Sequence, residues 1–294
     1  MSAGSAHNPT KKLMRRYLRL TLAAAVAALT LAVGARAQQP ESNVRPVPLP
    51  PAEVERIVHA LTTKETEFRK ALNQYAFKRD AVVQSIGMGG QITGEYHRVS
   101  RFAFDDNGHR SERILSFPLP NIVDFTISTE DIEDLGGVQT FALEADKLAQ
   151  YNFSYLGKEK IDELDLYVFD VGPKVMPDPD KVKERFFQGR IWVDDQDLQI
   201  VKVRGKGVPE GKQRFPTFET YREQIDGKYW FPTYTYADDQ LVFPQGEVVH
   251  LRMRITFADY QRFRAKVRIV EGDVTDESEK PAPTPTPAKK KPPQ

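Results

Sequence analysis

Apolar side chains recur at Val54, Ile57, Val58, Leu61, Phe68 and Leu72, mostly three, four or seven residues apart. That spacing lays one apolar stripe along a helix, with Glu53, Glu55, Lys64, Glu67 and Arg69 off it. Such a helix can cover one face of a sheet. From about Gln74 the period changes to two, and residues 74–86 and 94–104 read as strands. Asp106-Asn107-Gly108 then predicts a hairpin turn, because Asn-Gly adopts positive φ readily. The returning strand covers about 109–117 and ends at Pro118 and Pro120. Ser128 or Thr129 can cap a short helix with Glu130, Asp131 and Glu133 in its first turns and Gly136-Gly137 at its end. A second helical turn is expected near 144–149.

Residues 151–270 read as a β-meander. Its strands are expected at 151–156, 166–171, 187–194, 199–205, 216–224, 228–236 and 247–257. The clearest alternation sets Val249, Leu251, Met253, Ile255 and Phe257 against His250, Arg252, Arg254 and Thr256. A period of two puts the first set on one sheet face and the polar set on the other, so one face is wet and one is covered. Val201 and Val203 against Lys202 and Arg204 repeat this on a shorter strand. Only the ends of the chain escape the pattern. Residues 38–51 hold five prolines and read as an extended lead-in. Residues 271–294 are rich in proline and charge without apolar periodicity, and are expected to be a disordered tail.

The first 37 residues change the compartment. Lys11 to Arg19 is basic, residues 20–34 are an apolar run of 15, and Ala35-Arg36-Ala37 offers small residues for cleavage before Gln38. At 1.5 Å per residue that run reaches about 22 Å, short of the roughly 30 Å hydrocarbon core. A cleaved export signal is therefore expected, with no transmembrane span in the mature chain. The product is periplasmic or secreted. The domain expected to fold is 52–270. Length alone permits one or two domains, and one large β core is the simpler reading.

Charge and composition exclude several functions. Lys+Arg is 42 and Asp+Glu is 41, a net of +1. The signal holds six basic residues and no acid, so its removal leaves about −5, which argues against a nucleic-acid partner. Cysteine is absent, which removes disulfides, thiolate metal sites and lipidation through sulfur. The five histidines are scattered without metal-ligand spacing, so no metal site is expected. Gly-x-Ser-x-Gly and the phosphate-loop and dinucleotide glycine patterns are missing. Gly87-Met88-Gly89-Gly90 reads as a loop between strands. Asp194-Asp195-Gln196-Asp197 lacks the logic of a calcium loop and reads as a tight acidic turn. No enzyme chemistry and no cofactor are expected.

Three segments carry a resemblance. Tyr155 to Glu163 (YLGKEKIDE) followed by Leu166 to Val171 (LYVFDV) resembles a leucine-glycine motif leading into an aromatic-rich strand. Gly189 to Asp194 (GRIWVD) with Gln199 to Val203 (QIVKV) resembles the next two strands, and Asp226 to Pro232 (DGKYWFP) a later hairpin. Together they resemble the LolA/LolB/RseB superfamily of outer-membrane lipoprotein-sorting-like periplasmic proteins over about 155–260. The resemblance implies a mainly β (α+β) fold. It is a curved antiparallel barrel left unclosed, with helices covering the concave face. In the carriers the apolar space between sheet and plug receives acyl chains. On that pattern the apolar cavity is expected to be lined by Val249, Leu251, Met253, Ile255, Phe257, Val201, Val203, Tyr167 and Phe169. Each of these also suits an ordinary core. The implied function is a non-enzymatic protein holding a lipid or lipoprotein acyl chain. The alternative is an envelope sensor or assembly module that binds a protein partner through its sheet. Trp192 and Trp230 suit either a pocket wall or structural plugs at strand ends. His250, Arg252 and Arg254 are expected on a solvated face balanced by acids on neighbouring strands.

Overall fold

The structure is a computed structural model that describes residues 43–105, 108–127, 131, 143–181 and 184–263. The expected export signal, the Asp106-Asn107 half of the hairpin turn, the helix capped at Ser128-Thr129 and the polar tail lie outside the described residues.

Helix α1 spans Pro51–Leu72. Proline suits the first helical turn because its missing N–H would have no intrahelical partner there. Glu53 in the first turn and Arg69 and Lys70 in the last complement the helix dipole. Among the described residues ten strands follow: β1 (Tyr75–Ile86), β2 (Ile92–Phe104), β3 (Arg110–Ser116), β4 (Tyr151–Ile161), β5 (Leu164–Pro173), β6 (Phe186–Asp194), β7 (Ile200–Val208), β8 (Phe218–Ile225), β9 (Tyr229–Val242) and β10 (Val248–Arg262). A 3-10 turn at Ala145–Gln150 leads into β4.

All ten strands form one antiparallel sheet in the order β3-β2-β1-β10-β9-β8-β7-β6-β5-β4. Every neighbour is sequential except β1 and β10, which pair from Tyr75↔Arg262 to Ile86↔His250. β3 and β4 are the free edges, so the sheet stays open. One apolar cluster gathers Ile57, Leu61 and Phe68 of α1 with Phe77 of β1, Phe169 of β5, Val203 of β7, Phe231 of β9 and Ile255 of β10. A single helix reaches strands from across the order only if the sheet curls around it, so α1 sits on the concave face. Each fully buried Leu, Ile or Phe there contributes about 1.5–3 kcal/mol.

One ion pair crosses this apolar contact. Glu65 of α1 accepts hydrogen bonds from both terminal nitrogens of Arg222 on β8, at 2.6 and 3.1 Å. The two side chains are 1% and 7% exposed. The guanidinium also lies 4.3 Å from the centroid of the Phe68 ring.

A smaller cluster occupies the outer face: Leu166, Val168, Trp192 and Val201, with Val44, Leu156 and Trp230 packed against it. The lead-in serves both faces. Val44 packs outside and Leu49 inside. Between them Arg45 exchanges two backbone hydrogen bonds with Lys158 of β4, at 2.7 and 2.9 Å. This strap fits because β4 bulges at Gly157, whose φ is +143°. A Cβ there would stand 2.2 Å from the Arg45 carbonyl oxygen, so only glycine permits the approach.

The polar set of β10 faces water as expected and is matched by acids. Asp238 of β9 accepts from His250 and from Arg252 Nε, the latter at 3.0 Å. Burial would raise the Asp238 pKa, but hydrogen bonds from His250, Arg252 and Tyr236 outweigh it and hold it low. The acidic turn is also as expected: Asp194 accepts the Gln196 and Asp197 amides at 2.9 and 3.0 Å.

Candidate functional site

Most of the concave face is filled. Met253, Ile255 and Phe257 lie buried among α1, β1 and β9, and the Phe257 ring is 6.1 Å from that of Phe77. Phe169 is buried in the same cluster, and Val203 and Tyr167 belong to it or pack on it. Val249 is buried on the same strand face. Val201 lies on the other side of the sheet. Its position corrects the simple alternation, because β7 carries an extra residue there: Trp192 pairs with Lys202 while Val193 pairs with Ile200. Val201 is left over at the bulge and turns outward with Trp192.

One space that remains lies at one end of the open sheet. A cleft of about 340 Å³ opens between the sheet and two covering segments, 124–127 and 211–216. Val83 of β1, Leu241 of β9 and Leu251 of β10 form its floor. Phe125, Ile127 and Phe215 supply apolar cover, and Phe243, Gln245 and Glu247 of the β9–β10 tip stand at its opening. Of the nine residues expected to line an apolar cavity, Leu251 alone is in this wall.

The covering segments are held by polar contacts. The Ser85 hydroxyl, buried on β1, donates to the Asp124 carboxylate, and Thr93 donates to Ser85 at 3.0 Å. This ties residues 124–127 to the first hairpin. Asn121 does the same from below: its side-chain oxygen accepts the Glu95 amide at 2.6 Å. On the other side Arg214 Nε donates to the Val242 carbonyl at 2.6 Å, and its Nη1 to the Gly211 carbonyl at 2.8 Å. The Phe215 amide donates to Glu210, which also pairs with Lys206 at 2.6 Å. Asp124, Asp131, Glu247, Lys212 and Arg214 thus ring an apolar interior. Such a lining suits an apolar chain inside with a polar end among the mixed charges.

None of these anchors follows from strand periodicity. The Phe-Pro pair is not a specific signal, since Phe231-Pro232 lies within inner strand β9, whereas Phe215-Pro216 and Phe243-Pro244 fall outside the strands. Phe215 and Phe243 line the cleft.

A second, broader groove of about 800 Å³ lies between the first half of α1, the 3-10 turn and β4. Val54, Val58, Leu148, Phe153 and Tyr155 contribute to it. The Tyr155 hydroxyl is buried and accepts or donates no hydrogen bond among the described residues, and burial pushes its pKa up. The two tryptophans line neither space. Their indole N–H groups donate to carboxylates, Trp192 to Glu159 at 2.7 Å and Trp230 to Asp197 at 2.8 Å.

Among the described residues no cluster of three or more His, Asp or Glu is placed to hold a metal ion. None of their helices is long and apolar enough to cross a membrane.

No family model and no curated protein matches the chain. Solved structures similar to it include a DUF1329 family protein from Desulfovibrio piger, with 15% identity, a TM-score of 0.34, and coverage of 70% of this chain and 92% of that one. A LolA superfamily protein from Nitrosomonas europaea has 14% identity, a TM-score of 0.30, and coverage of 69% and 94%. A putative outer membrane lipoprotein-sorting protein domain from Vibrio parahaemolyticus has 11% identity, a TM-score of 0.30, and coverage of 72% and 95%. These names describe those proteins.

Proposed function

We propose that this chain is a non-enzymatic periplasmic protein that holds the end of an acyl chain in the cleft at the open end of its barrel. Residues 1–37 serve as a removable export signal, 52–270 fold as the binding domain, and 271–294 are a polar tail. The observation that carries the reading is the apolar cleft of about 340 Å³, walled by Val83, Leu241, Leu251, Phe125 and Phe215. That volume falls within the roughly 300–1,000 Å³ typical of small-molecule pockets. Each methylene moved from water onto this wall contributes about 0.8 kcal/mol, so useful affinity needs no ion pair.

Displacement of a fluorescent fatty acid tests it. Leu241→Trp fills the floor of the cleft and is expected to weaken binding about tenfold or more, the loss of roughly 1.4 kcal/mol or beyond. Phe243→Ala, at the opening, keeps the floor intact and is expected to bind within a few-fold of the parent. Equal binding by the parent and Leu241→Trp, with unchanged thermal midpoints, would overturn the assignment. The alternative, a module that binds a protein partner through its sheet, has in its favour the free β3 edge, where Ile114 and Leu115 are exposed. It predicts that cross-linking in the native envelope captures a partner at β3.

A further inference from the structure

Exposed apolar residues are not spread evenly over this molecule. The tips of β1–β2 and β9–β10, the segment after β3 and the segment after β5 all meet at one end of the barrel, because β1, β3, β5 and β9 end there and β2 and β10 begin there. That end carries Met88, Leu119, Val123, Val175, Val242 and Val248 in the open. Met88 is fully exposed, Leu119 is 93% exposed and Val123 is 89% exposed. Residues 86–92 and 117–123 contain no ionisable side chain at all. Loops of a soluble surface normally carry charge, and an apolar set of this kind marks an interaction site.

The opposite end has no such set. Its turns present charged and polar residues of both signs, Asp105, His109, Asp162, Glu163, Asp195, Asp197, Asp226 and Lys228. Exposed apolar side chains are therefore concentrated at one end of the open sheet, where they stand beside a charged rim that includes Lys212, Arg214 and Glu247. The cleft opens at the apolar end, since Phe243, Gln245 and Glu247 of the β9–β10 tip form its mouth.

We propose that the apolar end is a membrane-docking face: Met88, Leu119, Val123 and their neighbours enter the headgroup region of a phospholipid bilayer and set the cleft mouth against the lipid. Several separate tips, each with one or two apolar side chains, can dip into a fluid interface independently, whereas a protein partner would need one continuous matching surface. The charged turns of the opposite end point away from the bilayer, while Lys212 and Arg214 at the cleft stand where anionic headgroups would lie. The purpose of this face rests on the acyl-binding reading. The face itself rests on exposure and topology, so the two fail separately.

The chain has no cysteine, so Met88→Cys and Glu163→Cys each give a single labelling site, one per end. Both are labelled with an environment-sensitive fluorophore and mixed with vesicles of phosphatidylethanolamine and phosphatidylglycerol. A blue shift at position 88 without one at 163 is expected. Unlabelled protein is expected to float with the vesicles, and Met88→Asp/Leu119→Asp to float about tenfold less, a factor that corresponds to roughly 1.4 kcal/mol. That double variant is expected to keep fatty-acid binding, while Leu241→Trp is expected to float normally. Shifts at both positions, or at neither, would overturn the proposal, as would equal flotation of the double variant. Sedimentation as a dimer that Met88→Asp/Leu119→Asp turns monomeric, without flotation, would assign the face to a second copy instead.

Discussion

Glu65 shows what a single residue can settle in this fold. It sits between Leu61 and Phe68, at a position the apolar stripe would otherwise fill, and its carboxylate meets Arg222 far along the chain. Breaking one side of a buried pair leaves an uncompensated charge, so Glu65→Ala is expected to cost about 3–5 kcal/mol in urea unfolding. Glu65→Leu with Arg222→Met removes both charges and is expected to recover most of that loss. The helical stripe as read from the sequence passes over Glu65, although its spacing from Leu61 and Phe68 is that of a core position. Its partner was not legible, because nothing local links α1 to β8. The same holds for Asp124 and Arg214, which look like ordinary loop residues until the fold places them over the cleft.

Strands and their connections carry the next level of control. Period-two alternation located β10 and its inner face, from Val249 to Phe257, because that strand is regular along the stretch. It misplaced Val201, because a bulge reverses the face of every residue beyond it and leaves no signature in hydropathy. Gly157 is the corresponding device on β4. Gly157→Ala is expected to displace Arg45 and loosen the strap, seen as faster amide exchange at Lys158 and Arg45 with the rest of the sheet unchanged. The outer-face acids tie these strands to pH. Burial would raise Glu219, but Tyr221, Lys202 and Arg204 hold its pKa below the ordinary 4.5, as Asp238 is held below 3.8. A depressed carboxylate pKa contributes stability that is fully present above the ordinary value and is lost as pH falls through the folded one. Denaturation midpoints are therefore expected to fall below about pH 4.5, and Glu219→Gln is expected to flatten that decline.

At the scale of the whole molecule, fold class was the most legible property. Helix stripe, hairpins and meander each have a local period and give a helix that covers an antiparallel sheet, while the open, curved form of that sheet came from the resemblance carried by residues 155–260. The location of the empty space was not legible. It depends on where α1 stops filling the concave face and where two loops take over, and both are properties of packing. Amino-terminal sequencing of protein exported from cells is expected to begin at Gln38, and retention of the first 37 residues would remove the compartment on which the functional reading depends.

The pairing of β1 with β10 has a consequence for how such a chain comes to exist. A polypeptide that emerges amino-terminus first presents α1 and β1 early and can pair β1 with β2, yet the ladder on the other side of β1 is made by the last described strand. Until residues 248–262 have followed, the middle of the sheet has no seam to close on. The hairpins on either side can pair as they emerge, but the two halves of the sheet are joined only when nearly the whole length is free.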